Sequence, residues 1–210
     1  SRLGFGKWTV VDHDFLLPHN LAKHALGRKS IGLHKASKIS EEVNELLGSE
    51  FATPVSKNFF EFVDDEGFVE KVSKFDMIID MSTSIAVARK LARDLDVESE
   101  KPRISAFLNP IGTDLVILSE DKAREHRLDL LEMQYYRCLF DEEDLHNHLQ
   151  ITQKDKVRYN RNSCREVTNK INQTDVAIHA SICSKVLKQI INTGDSRIAI
   201  WNIDKETHEV

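Results

Sequence analysis

Apolar and polar positions along the chain change their period repeatedly, and each change marks an element. Trp8-Thr9-Val10-Val11 is β-rich and runs into Asp12-His13-Asp14, which reads as a strand with carboxylates at its carboxyl end. A polar connector, residues 17–24, follows. From Ile31 to Leu47 the apolar residues Ala36, Ile39, Val43 and Leu46 recur at helical spacing, and Gly48 closes the run. This predicts an amphipathic helix with a glycine cap. Phe51 to Ser56 reads as a short strand, Phe60 to Val72 as an acidic segment with helical spacing, and Phe75 to Asp80 as another strand ending in an acid. Ser82 to Asp94 resumes the helical period through Ile85, Ala88, Leu91 and Leu95. Strand and helix alternate as they do in parallel sheets with crossover helices.

The second half is patterned differently. Ile104 to Leu108 and Asp114 to Leu118 are strands joined by Asn109-Pro110-Ile111-Gly112-Thr113, a connector with the turn residues and length of an antiparallel hairpin. Glu120 to Leu149 is charged and helical, with Leu128, Leu131, Tyr135 and Leu139 on one stripe, and Thr152 to Asn172 is polar. Together they read as an insertion with a mobile tip. Val176 to Ile191 is apolar on most faces, predicting a buried helix, and Arg197 to Ile203 is a last strand. The fold class expected is α/β: a Rossmann-like, mostly parallel sheet flanked by helices, with an antiparallel portion and a helical or loop crossover insertion.

Composition narrows the function. The chain has 210 residues, 40% hydrophobic and 30% charged, as in soluble globular domains. Its charge of −5, from 34 acidic and 29 basic side chains, is spread along the chain, which leaves no electrostatic footprint for nucleic acid. Apolar runs such as Met77–Ile79 and Val116–Leu118 fall far short of the ~20 residues of a membrane span, so neither a membrane span nor a secretory leader is expected. Three cysteines without a C-x-x-C pair argue against a disulfide framework and a clustered zinc site, and a reducing, cytoplasmic setting follows. His13, His19, His24 and His34 crowd one region, but their spacing matches no metal-ligand motif.

Candidate chemistry lies at the strand ends. In open α/β sheets ligands bind beyond the carboxyl ends of the strands, where an acid often takes the ribose hydroxyls of a nucleotide. Asp12 is the candidate. The Gly-rich phosphate loop of such sites follows a strand and opens a helix, whereas Gly4-Phe5-Gly6 stands directly before one. A first strand and its phosphate loop are therefore missing, and the chain, which begins at Ser1, reads as a fragment of a longer protein.

Val11-Asp12-His13-Asp14-Phe15, then Asn20-Leu21-Ala22-Lys23-His24, then Ile31-Gly32-Leu33-His34-Lys35-Ala36 resemble, in order and spacing, the nucleotide-binding core of the ThiF/MoeB/HesA family, bacterial relatives of ubiquitin-activating enzymes. Met77 to Arg93 is similar to that family's strand-Asp-helix segment, and Val176 to Ile203 to its closing helix and strand. Leu108 to Asp114 and Asn162 to Thr168 look most like the activating domain of antiphage CBASS conjugation systems, where it is fused to a conjugating-type domain. The resemblance implies ATP-dependent adenylation of the C-terminal carboxylate of a ubiquitin-like or sulfur-carrier protein, with ATP and magnesium, commonly in a homodimer. It gives the ribose to Asp12, the phosphates to Asn20, Lys23 and Lys35, catalytic charge stabilisation to Lys35, and magnesium to Asp80. Residues 1–118 then form the nucleotide-binding part, 119–172 the crossover insertion, and 173–210 the closing helix and strand. The chain departs from the family twice: Lys23 replaces an arginine, and Asp80-Met81-Ser82-Thr83-Ser84 puts Thr83 where a second acid belongs.

Cys138 and Cys183 fall in helical apolar patterns and read as small buried hydrophobes. Cys164 sits in a polar segment between Arg161 and Arg165, which favour thiolate if close. By resemblance it is the thiol that takes the activated carrier as a thioester. His179 resembles a family histidine but reads as a core residue. Taken singly, Asp12 also suits a turn former, Asn20 a helix cap and Lys35 a solvated helix lysine. Two other functions fit part of the pattern: a non-catalytic scaffold of the activating-enzyme type, favoured by Thr83 and the missing loop, and a Rossmann oxidoreductase with Asp12 on NAD. If the missing strand is the family's central one, an exposed sheet edge, pairing with another copy or a local rearrangement is expected.

Overall fold

The structure, a computed structural model, describes residues 6–95, 101–151, 156–158, 167–169 and 171–204. The chain divides into two compact units, residues 1–70 and 71–210.

The first unit is built on a strand-helix-strand repeat. Strand β1 (Trp8–Val11) pairs in parallel with β2 (Ala52–Val55), Trp8 opposite Ala52 and Val11 opposite Val55. Helix α1 (Lys35–Leu47) makes the crossover and ends at Gly48, whose φ of 66° is the left-handed cap that the sequence predicts. The helix starts four residues later than the apolar period suggests. A 3-10 turn at Arg28–Ser30 and Gly32 at φ 83° break the backbone, and Phe15 then bridges His34. Ala36 and Ser40 are buried, whereas Leu46, expected on the inner stripe, is 53% exposed. The acidic segment forms two short helices, α2 (Phe59–Val63) and α3 (Phe68–Ser73), with Gly67 at φ 80° in the break between them. Asn58 caps α2 by accepting the Phe60 N–H.

The second unit contains a four-stranded sheet in the order β3-β4-β5-β8. Strands β3 (Ile78–Asp80) and β4 (Arg103–Leu108) are parallel, while β5 (Asp114–Ser119) pairs antiparallel with β4 as expected from the hairpin. Helix α4 (Ile85–Arg89) runs into one π-helical stretch, Lys90–Asp94; Leu91 and Leu95 are buried, but Ile85 is 66% exposed. After β5 come α5 (Leu128–Asp141), the antiparallel pair β6 (Lys156–Arg158) and β7 (Val167–Asn169), α6 (Gln173–Thr193) and β8 (Arg197–Asn202). Strand β8 lies antiparallel to β5, which extends the antiparallel portion beyond the hairpin. Parallel and antiparallel pairing under covering helices is the α/β architecture that the sequence predicts. Among the described residues β1 and β3 each have one ladder partner.

Strand β5 is buried at all six positions, because alternate side chains enter two cores. Leu115 and Ile117 join Ile104 and Ala106 of β4 and Cys183, Val186, Leu187 and Ile190 of α6. Val116 and Leu118 join Leu128, Leu131, Tyr135 and Leu139 of α5, the stripe read from sequence. Fully burying such a side chain is worth about 1.5–3 kcal/mol, so this sheet and its two helices dominate the unit's stability. Helix α6 is buried along one stripe rather than on most faces, and it is longer than expected. Asn172 caps its start by accepting the Asp175 N–H at 2.8 Å, and Gly194 at φ 71° ends it. No described helix is long and apolar enough to cross a membrane.

Candidate nucleotide site

Two strand-end aspartates share one local geometry. Asp12, directly after β1, accepts the Asp14 N–H on Oδ1 at 2.8 Å. Asp80, the last residue of β3, accepts the Ser82 N–H at 2.8 Å and the Ser82 hydroxyl at 2.7 Å on its own Oδ1. In each case a short side chain bonds the backbone two residues on, which turns the chain sharply off the sheet. The acid is thereby held at the carboxyl end of a parallel strand.

In the first unit Asp12, Asp14 and Lys35 come together. The Lys35 ammonium lies 2.8 Å from Asp14 Oδ2, and the Lys35 N–H donates to the Asp14 carbonyl at 2.9 Å. Asp14 thus fixes both the backbone and the side chain of the first residue of α1. His24 is next to this group: burial holds its imidazole below the ordinary value, the Lys35 charge adds to that, and Asp12 opposes both. His24 Nδ1 accepts the Leu26 N–H at 3.1 Å. The ligand atoms of Asp12, His13 and Asp14 lie within 4.8 Å of one another, a spacing loose for one cation, with the Lys35 ammonium already on Asp14. Phe15 stacks on His34 with ring centres 4.0 Å apart.

Asn20 belongs to an earlier 3-10 turn, Pro18–Ala22, and Lys23 directly follows that turn as its C-cap. The Asn20 side chain accepts the Leu17 N–H at 2.9 Å, and the Lys23 N–H donates to the Asn20 carbonyl at 3.0 Å. Asn20 is thus not the N-cap that its sequence position suggested as an alternative: Leu17 holds that place, and Asn20, the third residue of the turn, reaches back to the Leu17 N–H. In the second unit Asp80 is 7% exposed, and Thr83 sits at φ 55°. Cys164 lies outside the described residues. Cys183 is buried, and burial raises its thiol; Cys138 is only partly buried.

A polar cluster that the sequence reading passed over lies in the second unit. The buried Asp114 carboxylate has His148 Nδ1 2.5 Å away and accepts from Asn109 Nδ2 at 3.0 Å and from Asn202. His148 Nε2 meets the Tyr135 hydroxyl at 2.7 Å. Burial opposes ionisation of Asp114, but bonds from His148, Asn202 and Thr113 prevail and lower its pKa. Asn109 and Asp114 bracket the hairpin turn, so the cluster ties β5, α5 and the residues after α5 together. The buried His179 ring, 3.1 Å from the Gly112 carbonyl, holds the same turn. The Asn109-to-Asp114 spacing was visible in the sequence; His148 carried no signal, since only the tertiary packing brings it there.

With a parallel β-α-β unit, acids at strand ends and a lysine opening the crossover helix, the fold is α/β, and the solved structures it resembles share that fold. No family profile matches the chain. The ATP-dependent ubiquitin transferase-like protein Cap2 of Enterobacter hormaechei subsp. hoffmannii (strain UCI 50) is 35% identical over 106 residues, which is 50% of this chain and 17% of that protein. E. coli MccB, solved with ATP, superposes with a TM-score of 0.53 and 12% identity over 97% of this chain and 58% of its own. PaaA does so with a TM-score of 0.55 and 15% identity over 97% of this chain and 74% of its own. The chain thus spans about a sixth of the curated relative it matches and under three fifths of MccB.

Proposed function

We propose that the protein adenylates the C-terminal carboxylate of a ubiquitin-like or sulfur-carrier protein at the expense of ATP and then takes the carrier onto Cys164 as a thioester. The observation that carries this reading is the return of Lys35, across 21 residues, to the acid-bearing end of β1, 2.8 Å from Asp14. A cation held there by the start of a helix suits a polyphosphate. The Asp12 carboxylate, anchored through Oδ1, is oriented to present Oδ2 to ribose hydroxyls. MccB, which shares the fold, has been solved with ATP and with AMPCPP and MccA, and Cap2 is described as ubiquitin transferase-like.

In the first step a carboxylate oxygen of the carrier attacks the α-phosphorus of ATP and the bond to pyrophosphate breaks. Negative charge grows on the phosphate oxygens, and Lys35, leaving Asp14, offsets it. Lys23 adds a second cation from the end of the 3-10 turn, as a point charge where an arginine would be bidentate. Asn20 keeps this turn in place and is proposed to lend its amide to the phosphates. Asp80, in the second unit, buried and with one oxygen already bonded, would hold a magnesium ion through its other oxygen. That ion would supply further charge neutralisation. In the second step the Cys164 thiolate attacks the acyl carbon and AMP leaves. A conjugating-type domain is proposed as the next acceptor, and a cytoplasmic setting suits a reactive thiol.

The test is ATP–pyrophosphate exchange by the protein with its candidate carrier, beside Cys164→Ala and Asp12→Ala. Exchange that survives in Cys164→Ala while the reducible carrier adduct disappears, and that is lost in Asp12→Ala, supports both steps. A folded protein without exchange overturns the reading and favours a non-catalytic scaffold, for which Thr83 in place of a second acid already speaks.

A further inference from the structure

The turn between β4 and β5 receives the chain at two distant points. At the first, Asn109 Nδ2 donates to the His148 carbonyl at 3.2 Å, and His148 Nδ1 lies 2.5 Å from the Asp114 carboxylate. At the second, Ile171 sits against Gly112, where a Cβ would stand 2.7 Å from Ile171 Cγ2, and the His179 ring is 3.1 Å from the Gly112 carbonyl. The chain thus leaves this turn at His148 and returns to it at Ile171. Between these points β6 and β7 pair in antiparallel register, Lys156 opposite Asn169 and Arg158 opposite Val167, and the sequence places Cys164 between the two strands. We propose that the turn, residues 109–114, is the footing of this ribbon, and that Asp114 and His148 are positioning residues for the transfer of the carrier to Cys164.

A two-stranded ribbon on its own is marginal in water, and among the described residues β6 and β7 pair only with each other. Its order therefore depends on how its ends are held, since a stretch between fixed, neighbouring ends has less freedom to lose than one with a loose end. The turn itself is closed by backbone bonds, from the Asn109 N–H to the Asp114 carbonyl at 2.9 Å and from the Gly112 N–H to the Asn109 carbonyl at 3.0 Å. The Asp114–His148 pair adds nothing to that closure. A buried ion pair also gives little net stability beside apolar packing, so its use here is to fix position. The Tyr135 hydroxyl, 2.7 Å from His148 Nε2, leaves the ring one orientation, with its proton on Nδ1 toward the carboxylate. The inference rests on the thioester reading of Cys164, for which a shift of about 1 Å at the reacting atom costs up to about 100-fold in rate.

The experiment compares the wild type with His148→Ala, Asn109→Ala and His148→Asn, whose amide keeps a donor toward Asp114, by hydrogen exchange with mass spectrometry and by the two half-reactions. In the alanine variants the amides of residues 156–158 and 167–169 are expected to exchange at least about tenfold faster, with β5 and α6 at wild-type rates. Transfer to Cys164, from the ubiquitin-like carrier that supports ATP–pyrophosphate exchange, is expected to slow about 10- to 100-fold. The pyrophosphate exchange itself, which draws on Asp12 and Lys35 of the first unit, is expected to be kept. His148→Asn should recover most of both losses, and Asn109→Ala, the smaller change, decides the matter if His148→Ala does not fold. Unchanged protection of β6 and β7 overturns the proposal, as does acceleration spread equally over β5 and α6, or an adduct formed at the wild-type rate. A wild type that exchanges pyrophosphate without forming an adduct overturns the thioester reading and the positioning role with it.

Discussion

Lys35, the first residue of α1, and Asp14, two residues beyond the strand-end Asp12, form an ion pair at 2.8 Å in which the lysine side chain is 15% exposed and the aspartate 46%. The pair does local structural work and also parks a cation where the proposed reaction needs one. A half-exposed pair of this kind is worth about 0–1 kcal/mol. Lys35→Ala is therefore expected to move the melting temperature by only a few degrees while lowering kcat/KM for ATP–pyrophosphate exchange about 100-fold or more. Equal exchange in Lys35→Ala and wild type would remove the lysine from the catalytic site.

Burial pushes the Glu120 carboxyl up to about 7, against the pull of the Leu128 N–H and the Arg127 charge. The unfolded side chain titrates near 4.5, so between these values the folded state holds the extra proton. The stabilisation from this group is present below about 4.5 and is lost as pH rises through about 7. His179 acts in the opposite sense: burial lowers its pKa from 6.5, so its contribution is lost as pH falls below that value. Glu120→Gln should flatten the fall in melting temperature between pH 5 and 8, read by a differential scan. A slope that does not change would show that Arg124, 2.8 Å away, keeps the carboxylate ionised throughout.

Tyr135→Phe removes the hydroxyl that meets His148 Nε2 in a buried setting and leaves that ring nitrogen without its partner. The expected cost is about 1–3 kcal/mol, seen as a lower urea midpoint with an unchanged m-value. Replacing His148 as well, in Tyr135→Phe/His148→Phe, should cost less than the sum of the single changes. Additive losses would show that the two side chains do not act as a unit.

Gly112 turns the β4–β5 hairpin at φ 76°, and a Cβ there would stand 2.7 Å from Ile171 Cγ2. Gly112→Ala is expected to destabilise by about 1–3 kcal/mol through strain and overpacking. Ile171→Ala in the same chain should recover the part due to crowding. No recovery would assign the whole loss to the backbone.

Thr83 holds φ 55°, a conformation costly for a β-branched residue and easier for Asp or Asn. Thr83→Asp also restores the acid expected at this position from the family resemblance. It should raise stability by about 0.5–1 kcal/mol in thermal melts. A destabilised variant would show that the Thr83 hydroxyl, which donates to the Ser82 carbonyl at 2.6 Å, is worth more than the strain.

Local chemistry and period determined much of this protein directly from its sequence. β-branched runs ending in Asp12 and Asp80 had to be strands with acids at their ends. Gly48 had to end α1, and the stripe Leu128, Leu131, Tyr135, Leu139 faces the sheet as its spacing requires. Each of these follows from neighbours within one or two turns of the chain. Tertiary structure decided what depends on residues far apart. Lys35 meets Asp14 only because the connector between β1 and α1 folds back on itself, Phe15 bridging His34 and Leu16 bonding Gly32 and Leu33, and His148 reaches Asp114 across 34 residues only because α5 packs on β5. Leu46, Ile85 and Phe140 carry the same apolar character as core residues, yet they are 53, 66 and 81% exposed. Hydrophobicity says that a side chain gains by burial, but only the packed layers say which side chains find a surface to be buried against.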